Sequence, residues 1–275
     1  MLELSRMLTQ FCASILYNAN FFSNLPRKII PAGKVCVPGF NCAYCPGAIA
    51  GCPVGTLQYA FGSGLMRLPF YALASIMLIA LLLGRIICGW LCPFGLLQDL
   101  LYKIPTPKLM KNSYTAKLTY LKYAVLLGAV ILLPLYYFVA NEKGLATFCE
   151  YLCPNGLFSG LFMVATGTGF GFGYALINST KVLIAFLFVG GAIFIYRAFC
   201  RFFCPLGAFY ALFSKISIYA ICVDKEQCIG CNACIRNCLL DVKHIGDSEC
   251  IACGKCKSHC PTNCIYFGCR YSKTK

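Results

Sequence analysis

CIGCNACIRNC (residues 228–238) and CIACGKCKSHCP (residues 250–261) decide how the C-terminal end of this chain is read. Both follow Cys-x2-Cys-x2-Cys-x3-Cys, first as Cys228, Cys231, Cys234 and Cys238, then as Cys250, Cys253, Cys256 and Cys260 ahead of Pro261. In a tandem pair of such runs, three thiolates of each run hold one [4Fe–4S] cluster and the fourth crosses to the other. One set is then Cys228, Cys231, Cys234 and Cys260, and the other is Cys250, Cys253, Cys256 and Cys238. Eight cysteines matching one spacing twice leave little room for a zinc ribbon or a disulfide scaffold. Leu239 stands where the first run would ordinarily carry proline, which alters a turn but no ligand. The expectation is an α+β domain of the two-[4Fe–4S] ferredoxin kind over residues 220–275.

The rest of the chain is not that of a soluble enzyme. Hydrophobic residues make up 59% of the 275 and charged ones only 12%, which is membrane composition. The formal charge of +15 does not imply nucleic acid. A [4Fe–4S] cluster on four thiolates carries about −2, so four clusters would reduce the balance to roughly +7. Lysines and arginines flanking membrane spans account for the remainder, and no groove-reading motif is present. Thiolates that ligate iron need a reducing compartment, so the C-terminal domain is expected in the cytoplasm.

Spans are expected at Leu65–Ile87, Leu118–Val139 and about Val182–Phe199, each near the 20 or so apolar residues that cross a bilayer. A weaker fourth, Met7–Phe22, is interrupted by Gln10, Ser14, Asn18 and Asn20, and it lacks the features of a signal peptide. Arg85, Lys103, Lys108, Lys111 and Lys117 lie between the second and third spans, whereas Lys143, with Lys181 at the very edge of the fourth, lies between the third and fourth. The positive-inside rule makes the first of these segments cytoplasmic. The ferredoxin domain then falls on the same side, as its chemistry demands. Arg27, Lys28 and Lys34 in the external stretch Pro26–Gly64 dissent. The fold class expected is an α-helical membrane protein of about four transmembrane helices, residues 1–219, followed by that domain.

Cysteine also reveals a repeat. Cys-Pro-x-Gly recurs at Cys52, Cys92, Cys153 and Cys204, and three copies have another cysteine four residues earlier: Cys88, Cys149 and Cys200. Gly84–Gly95 aligns with Tyr196–Gly207, which suggests two pseudo-repeated halves, about 26–117 and 141–219. Proline is favoured at the first helical position, leaving the preceding cysteine at the N-cap. Free backbone N–H groups and the helix dipole stabilise an anionic sulfur there. One pair supplies two thiolates and a cluster takes four, so two pairs must meet. Cys88, Cys92, Cys200 and Cys204 all lie at cytoplasmic span ends and form an inner quartet. Cys149 and Cys153 lie at the outer face, where Cys45 and Cys52 are the expected partners, since copy one carries Ala48 at the earlier position. A rival is a self-contained set of Cys36, Cys42, Cys45 and Cys52, and a disulfide is a further alternative on an oxidising face.

Other features read as structural. Cys12 fits a buried packing thiol of a membrane helix, and Cys222, Cys264 and Cys269 complete no spacing. His244 and His259 read as surface or packing residues. GTGFGFG (167–173) lacks the strand and Lys-Ser/Thr of a nucleotide loop and reads as a tight or re-entrant membrane segment.

A multispan domain with Cys-x3-Cys-Pro motifs ahead of a two-cluster ferredoxin resembles the NapH/NosR-type membrane ferredoxins. The likeness rests on Arg85–Gly95, Arg197–Gly207 and Cys228–Pro261. It implies passage of electrons between the cytoplasmic or quinone side and an external acceptor, often a flavin-bearing domain. The chain departs from that pattern in having no external flavin domain and an additional cysteine-rich stretch, Cys36–Cys52, so any flavin belongs to a partner. The expected function is transmembrane electron transfer from a cytosolic donor to an extracytoplasmic redox protein, as a subunit of a membrane oxidoreductase. The alternatives are a quinol dehydrogenase subunit, with quinone near Arg85 and Arg201, and a redox-sensing or assembly factor.

Overall fold

The computed structural model describes residues 2–18, 35–36, 50–62, 70–109, 111–141, 145–155 and 179–271. Helix α1 (Leu2–Tyr17) starts earlier than the expected Met7–Phe22 span, and residues 19–22 lie outside the described residues. Its polar residues form a face: Arg6, Gln10 and Ala13 recur at helical spacing and are buried, while Leu4, Leu8, Phe11 and Leu16 are exposed. Cys12 lies on the exposed side, contrary to its reading as a buried thiol. Strands β1 (Val35–Cys36) and β2 (Ala50–Gly51) pair in parallel and lead into α2 (Pro53–Gly62).

Within the expected Leu65–Ile87 span, α3 covers Phe70–Leu83, and residues 63–69 lie outside the described residues. Gly84 then turns left-handed at φ +51° and starts a separate short helix, α4 (Ile86–Trp90), followed by α5 (Pro93–Tyr102). The second half repeats this plan: α9 (Ser179–Phe194) ends, Arg197 turns left-handed at φ 51°, and α10 (Ala198–Phe202) and α11 (Pro205–Phe213) follow. Both expected spans therefore end before their cysteines.

Between the halves runs Ser113–Asn141, capped by Asn112 and composed of α6 (Ser113–Leu118), α7 (Leu121–Val125), a π-helical stretch (Leu126–Leu132) and α8 (Leu133–Asn141). At 29 residues it is the one helix among the described residues long and apolar enough to cross a membrane. The π-register leaves one carbonyl without a helical donor. Leu133 donates to the Gly128 carbonyl five residues back, so Ala129 would need the N–H of residue 134, which is proline. The Ala129 carbonyl is released for other donors.

The C-terminal unit pairs β3 (Tyr219–Val223) antiparallel with β4 (Ile265–Cys269), Ile221 opposite Phe267. Two one-turn helices, α12 (Ala233–Arg236) and α13 (Lys255–Ser258), lie between them. Left-handed residues fall at equivalent places in the two cysteine runs: Gly230 with Ala252, and Asn232 with Gly254. The spacing repeat is thus also a backbone repeat.

Charged and amide side chains are buried beside the apolar core, while many large apolar side chains face outward. Arg6, Gln58, Gln98, Asp99, Lys122 and Arg197 are buried, whereas Leu78, Leu127, Val139, Leu183 and Phe186 are exposed. One core also joins the N-terminal helices to the C-terminal unit: Ile76, Ile87, Cys88, Tyr196 and Tyr210 cluster with Leu240, Val242 and Ile251.

Candidate metal centre

Each of the two ferredoxin sets shares a cavity. Cys228, Cys231, Cys234 and Cys260 line one of about 340 Å³. Cys238, Cys250, Cys253 and Cys256 line another beneath Tyr196 and Ile251. In both, the fourth cysteine comes from the opposite run. Burial, and then the neighbouring Cys250, Cys253, Cys238 and Cys234, push the Cys256 thiol up to about 12. Four crowded thiols cannot all ionise unless a cation shares the site, which suits a thiolate-bound iron–sulfur cofactor. Among the described residues no three Cys, His, Asp or Glu side chains close on a single metal ion.

The Cys-Pro motifs share one construction. Cys92, Cys153 and Cys204 each donate their backbone N–H to the carbonyl five residues back, on Ile87, Phe148 and Phe199. The three then adopt the same extended backbone, with ψ of 113°, 117° and 112°. Cys92 and Cys204 are N-caps with proline just inside the helix, as the sequence leads one to expect, and the Cys204 sulfur accepts the Gly207 N–H at 3.3 Å.

Two glutamines join copies from opposite halves. Gln98 accepts the Phe199 N–H on its Oε1 at 3.0 Å and directs its Nε2 at the Cys200 sulfur, 2.9 Å away. Gln58 accepts the Cys149 N–H at 3.1 Å and donates to the released Ala129 carbonyl at 2.8 Å, which also accepts from Thr147 Oγ1. Motif two is thereby held to motif four, and motif one to motif three. Extended by three residues, Cys52-Pro-Val-Gly-Thr-Leu-Gln58 and Cys92-Pro-Phe-Gly-Leu-Leu-Gln98 would have exposed both glutamines.

Cys88, Cys92, Cys200 and Cys204 line one cavity of about 80 Å³. Cys52 and Cys153 line the same cavity, with Arg85, Phe94, Phe148 and Phe199 among its other walls. The inner quartet and two cysteines assigned to the outer site therefore converge. Cys149 stands beside them on Gln58. Cys45 and Cys42 lie outside the described residues, as does the glycine-rich stretch 167–173. The backbone of Cys36 pairs with Gly51, one residue before Cys52.

Charged residues hold this centre in place. Asp99 on α5 pairs with Arg197 at 2.7 Å and Arg6 at 2.8 Å, and Arg197 also donates to the Cys88 carbonyl at 2.6 Å. Glu249, next to Cys250, binds both Arg85 and Lys122. Burial alone would raise the Glu249 carboxyl, but Arg85 and Lys122 beside it keep it below the usual carboxylate range. Arg201 pairs with Asp241, and Trp90 Nε1 donates to the Ala252 carbonyl at 2.9 Å. Gly89 faces the Ile251 carbonyl so closely that a β-carbon there would lie 2.2 Å from it. The second ferredoxin run is seated on the loop between Cys88 and Cys92.

Of the remaining thiols, Cys264 also lines the cavity of Cys228, Cys231, Cys234 and Cys260. Cys264 is buried, its sulfur 3.4 Å from that of Cys260, and Cys222 and Cys269 are half-buried on the two strands. His244 and His259 are exposed, and His244 lies 3.9 Å from Asp247.

A family model described as a 4Fe-4S binding domain matches residues 67–112, 121–172 and 181–218, and a second of the same description matches 244–266. The uncharacterized protein MJ0750 of Methanocaldococcus jannaschii is 33% identical over 211 residues, 73% of this chain and 79% of its own length. The uncharacterized protein MJ0749 of the same organism is 32% identical over 211 residues, 72% of this chain and 70% of its own. The methylamine utilization ferredoxin-type protein MauN of Methylobacillus flagellatus is 30% identical over 156 residues, 56% of this chain and 48% of its own. No solved structure matches. With 4Fe-4S binding models matching residues before and after position 220, the chain belongs to the NapH/NosR-type family of [4Fe–4S] ferredoxin-type proteins, and YccM, MauN, NirI and NosR are among its relatives.

Proposed function

We propose that this chain conducts single electrons across a membrane, from a cytosolic donor to an extracytoplasmic redox protein. The observation that carries this reading is the seating of Ile251 against Gly89, which sets the Cys250–Cys253 loop on the Cys88–Cys92 loop with no side chain between. Four [4Fe–4S] clusters, when bound, would supply one-electron carriers at the ferredoxin sets, the inner quartet and a second membrane set of Cys45, Cys52, Cys149 and Cys153.

The chain's own residues order these sites. Cys228 and Cys231 are exposed, so the first set is the natural entry point for a soluble donor. The second set lies deeper, in the core shared with Cys88. Next comes the cavity that Cys88, Cys92, Cys200 and Cys204 share with Cys52 and Cys153. A bilayer core of about 30 Å is long for one hop between its faces. Convergence on one cavity shortens the internal step and leaves the remaining distance to the outer partner. Buried Arg85 and Lys122 offset negative charge brought in by clusters.

The membrane setting draws on the Ser113–Asn141 helix and the exposed large apolar side chains. Four spans in two halves, with residues 1–219 in the bilayer and 220–275 in the cytoplasm, extend that reading. Lys111 donates to the Ile235 carbonyl and Thr115 to Asp241, contacts that support reading the basic segment and the ferredoxin domain on one side of the membrane.

Purified protein in sealed vesicles, with a low-potential donor outside and a trapped dye inside, tests the proposal. The dye should be reduced with the native chain, while Cys92→Ser with Cys204→Ser should abolish reduction and leave the ferredoxin spectrum intact. Dye reduction that survives those changes would overturn the conduit. Reduction of the bound clusters by a quinol analogue would favour the quinol dehydrogenase reading.

A further inference from the structure

We infer that Gln58 and Gln98 are paired positioning residues, each fixing a cysteine motif of the opposite half, and that Gln98 also sets the reduction potential of the inner site. The inference rests on reading the Cys-Pro motifs as cluster sites. It goes further in naming two residues that are not ligands and giving each one site.

Both glutamines are fully buried, and both stand six residues after a motif cysteine on the helix which that cysteine begins. Six residues is under two helical turns, about 9 Å along the axis, enough to place the side chain beside a motif packed against that helix. In each case Oε1 receives a backbone N–H at the start of a Cys-x3-Cys-Pro loop, Phe199 for Gln98 and Cys149 for Gln58. A buried amide is costly unless its groups are bonded, so each glutamine specifies its partner loop. Their donors differ. Gln58 spends its N–H on the Ala129 carbonyl that Pro134 leaves open. Gln98 aims at the Cys200 sulfur at 2.9 Å and at the Phe94 carbonyl at 3.3 Å. An N–H bond to a ligand sulfur favours the more negative, reduced state and raises the potential.

Gln98→Glu keeps an oxygen acceptor for the Phe199 N–H but cannot donate to Cys200. Gln98→Met is uncharged and similar in size, and removes both bonds. A redox titration followed by electron paramagnetic resonance should place one membrane signal at lower potential in both variants; Gln98→Glu, which keeps the Phe199 N–H bonded, should retain the native iron, whereas Gln98→Met should also lose part of the inner site's iron. Gln58→Met should leave that signal in place and lower iron content by about four atoms, one cluster's worth. An unchanged potential in both Gln98 variants would overturn the tuning role. Equal effects of Gln58→Met and Gln98→Met on both membrane signals would overturn the assignment of one site to each. A native chain whose iron fills only the two ferredoxin sets would instead refute the underlying site reading, so the two failures are distinguishable.

Discussion

Gly89 and the carbonyl of Ile251 meet so closely that a single methyl group cannot fit between them: a β-carbon at Gly89 would sit 2.2 Å from that oxygen. Since the neighbour is backbone, the strain cannot be relieved by rotating a side chain. The distance between the two cysteine loops is set here by the absence of an atom. Gly89→Ala should therefore lift the second ferredoxin run off the Cys88–Cys92 loop and cost about 1–3 kcal/mol in stability, the usual range for overpacking. Flash reduction of the ferredoxin sets should proceed normally, with onward transfer slowed at least tenfold. Unaltered onward transfer would show that this contact is not the electronic junction.

Asp99 is the sole carboxylate bound by Arg197 and Arg6 in the described residues. Asp99→Asn leaves two buried guanidinium groups without a counter-charge, and breaking such a set typically costs about 3–5 kcal/mol. It also frees Arg197 from its bidentate seat while that residue holds the Cys88 carbonyl. Chemical denaturation should record the loss, and the inner site should bleach first on exposure to an iron chelator.

How much of this was legible in the sequence divides along physical lines. The ferredoxin sets were readable because their ligands are close in sequence and their spacing is set by the cofactor. The exchange of Cys238 and Cys260 between runs followed from that rule and appears in the two cavities. The N-cap position of Cys92 and Cys204 followed from proline's fixed φ and missing N–H. Helix α1 was harder, because Gln10 looks like an interruption until the fold supplies the Cys92 carbonyl as its partner, and Arg6, ahead of the expected span, meets Asp99 only in the fold. The convergence of Cys52 and Cys153 on the inner cavity was hidden for another reason. A topology drawn from span ends carries no information on how far the short helices after each Cys-Pro fold inward. Gln58 and Gln98 were visible as a repeat but lay just beyond where the alignment stopped.

Pro134 shapes the second membrane set from a distance. Pro134→Ala restores an N–H that can bond the Ala129 carbonyl and competes with Gln58 and Thr147 for it. The helix should gain backbone order, yet the site at Cys149 and Cys153 should lose occupancy, seen as reduced iron content with the ferredoxin signals unchanged. Full occupancy would mean that Gln58 needs no anchor.

The crossed ligand sets make a sharper forecast for the C-terminal domain. Cys238→Ser should eliminate the deeper site while the exposed one survives, because Cys238 lines the cavity of Cys250, Cys253 and Cys256. Cys260→Ser should do the reverse. The two variants can be told apart by which signal a water-soluble paramagnetic relaxant broadens, the surviving site in Cys238→Ser being the one near exposed Cys228 and Cys231.

An anomalous-scattering map at the iron edge addresses the convergence of the two halves most directly. It should show iron within the cage of Cys88, Cys92, Cys200 and Cys204 and a neighbouring site at Cys52, Cys149 and Cys153, besides the pair between residues 228 and 260. Iron confined to the C-terminal pair, with the N-terminal cysteines empty or joined as disulfides, would contradict the account.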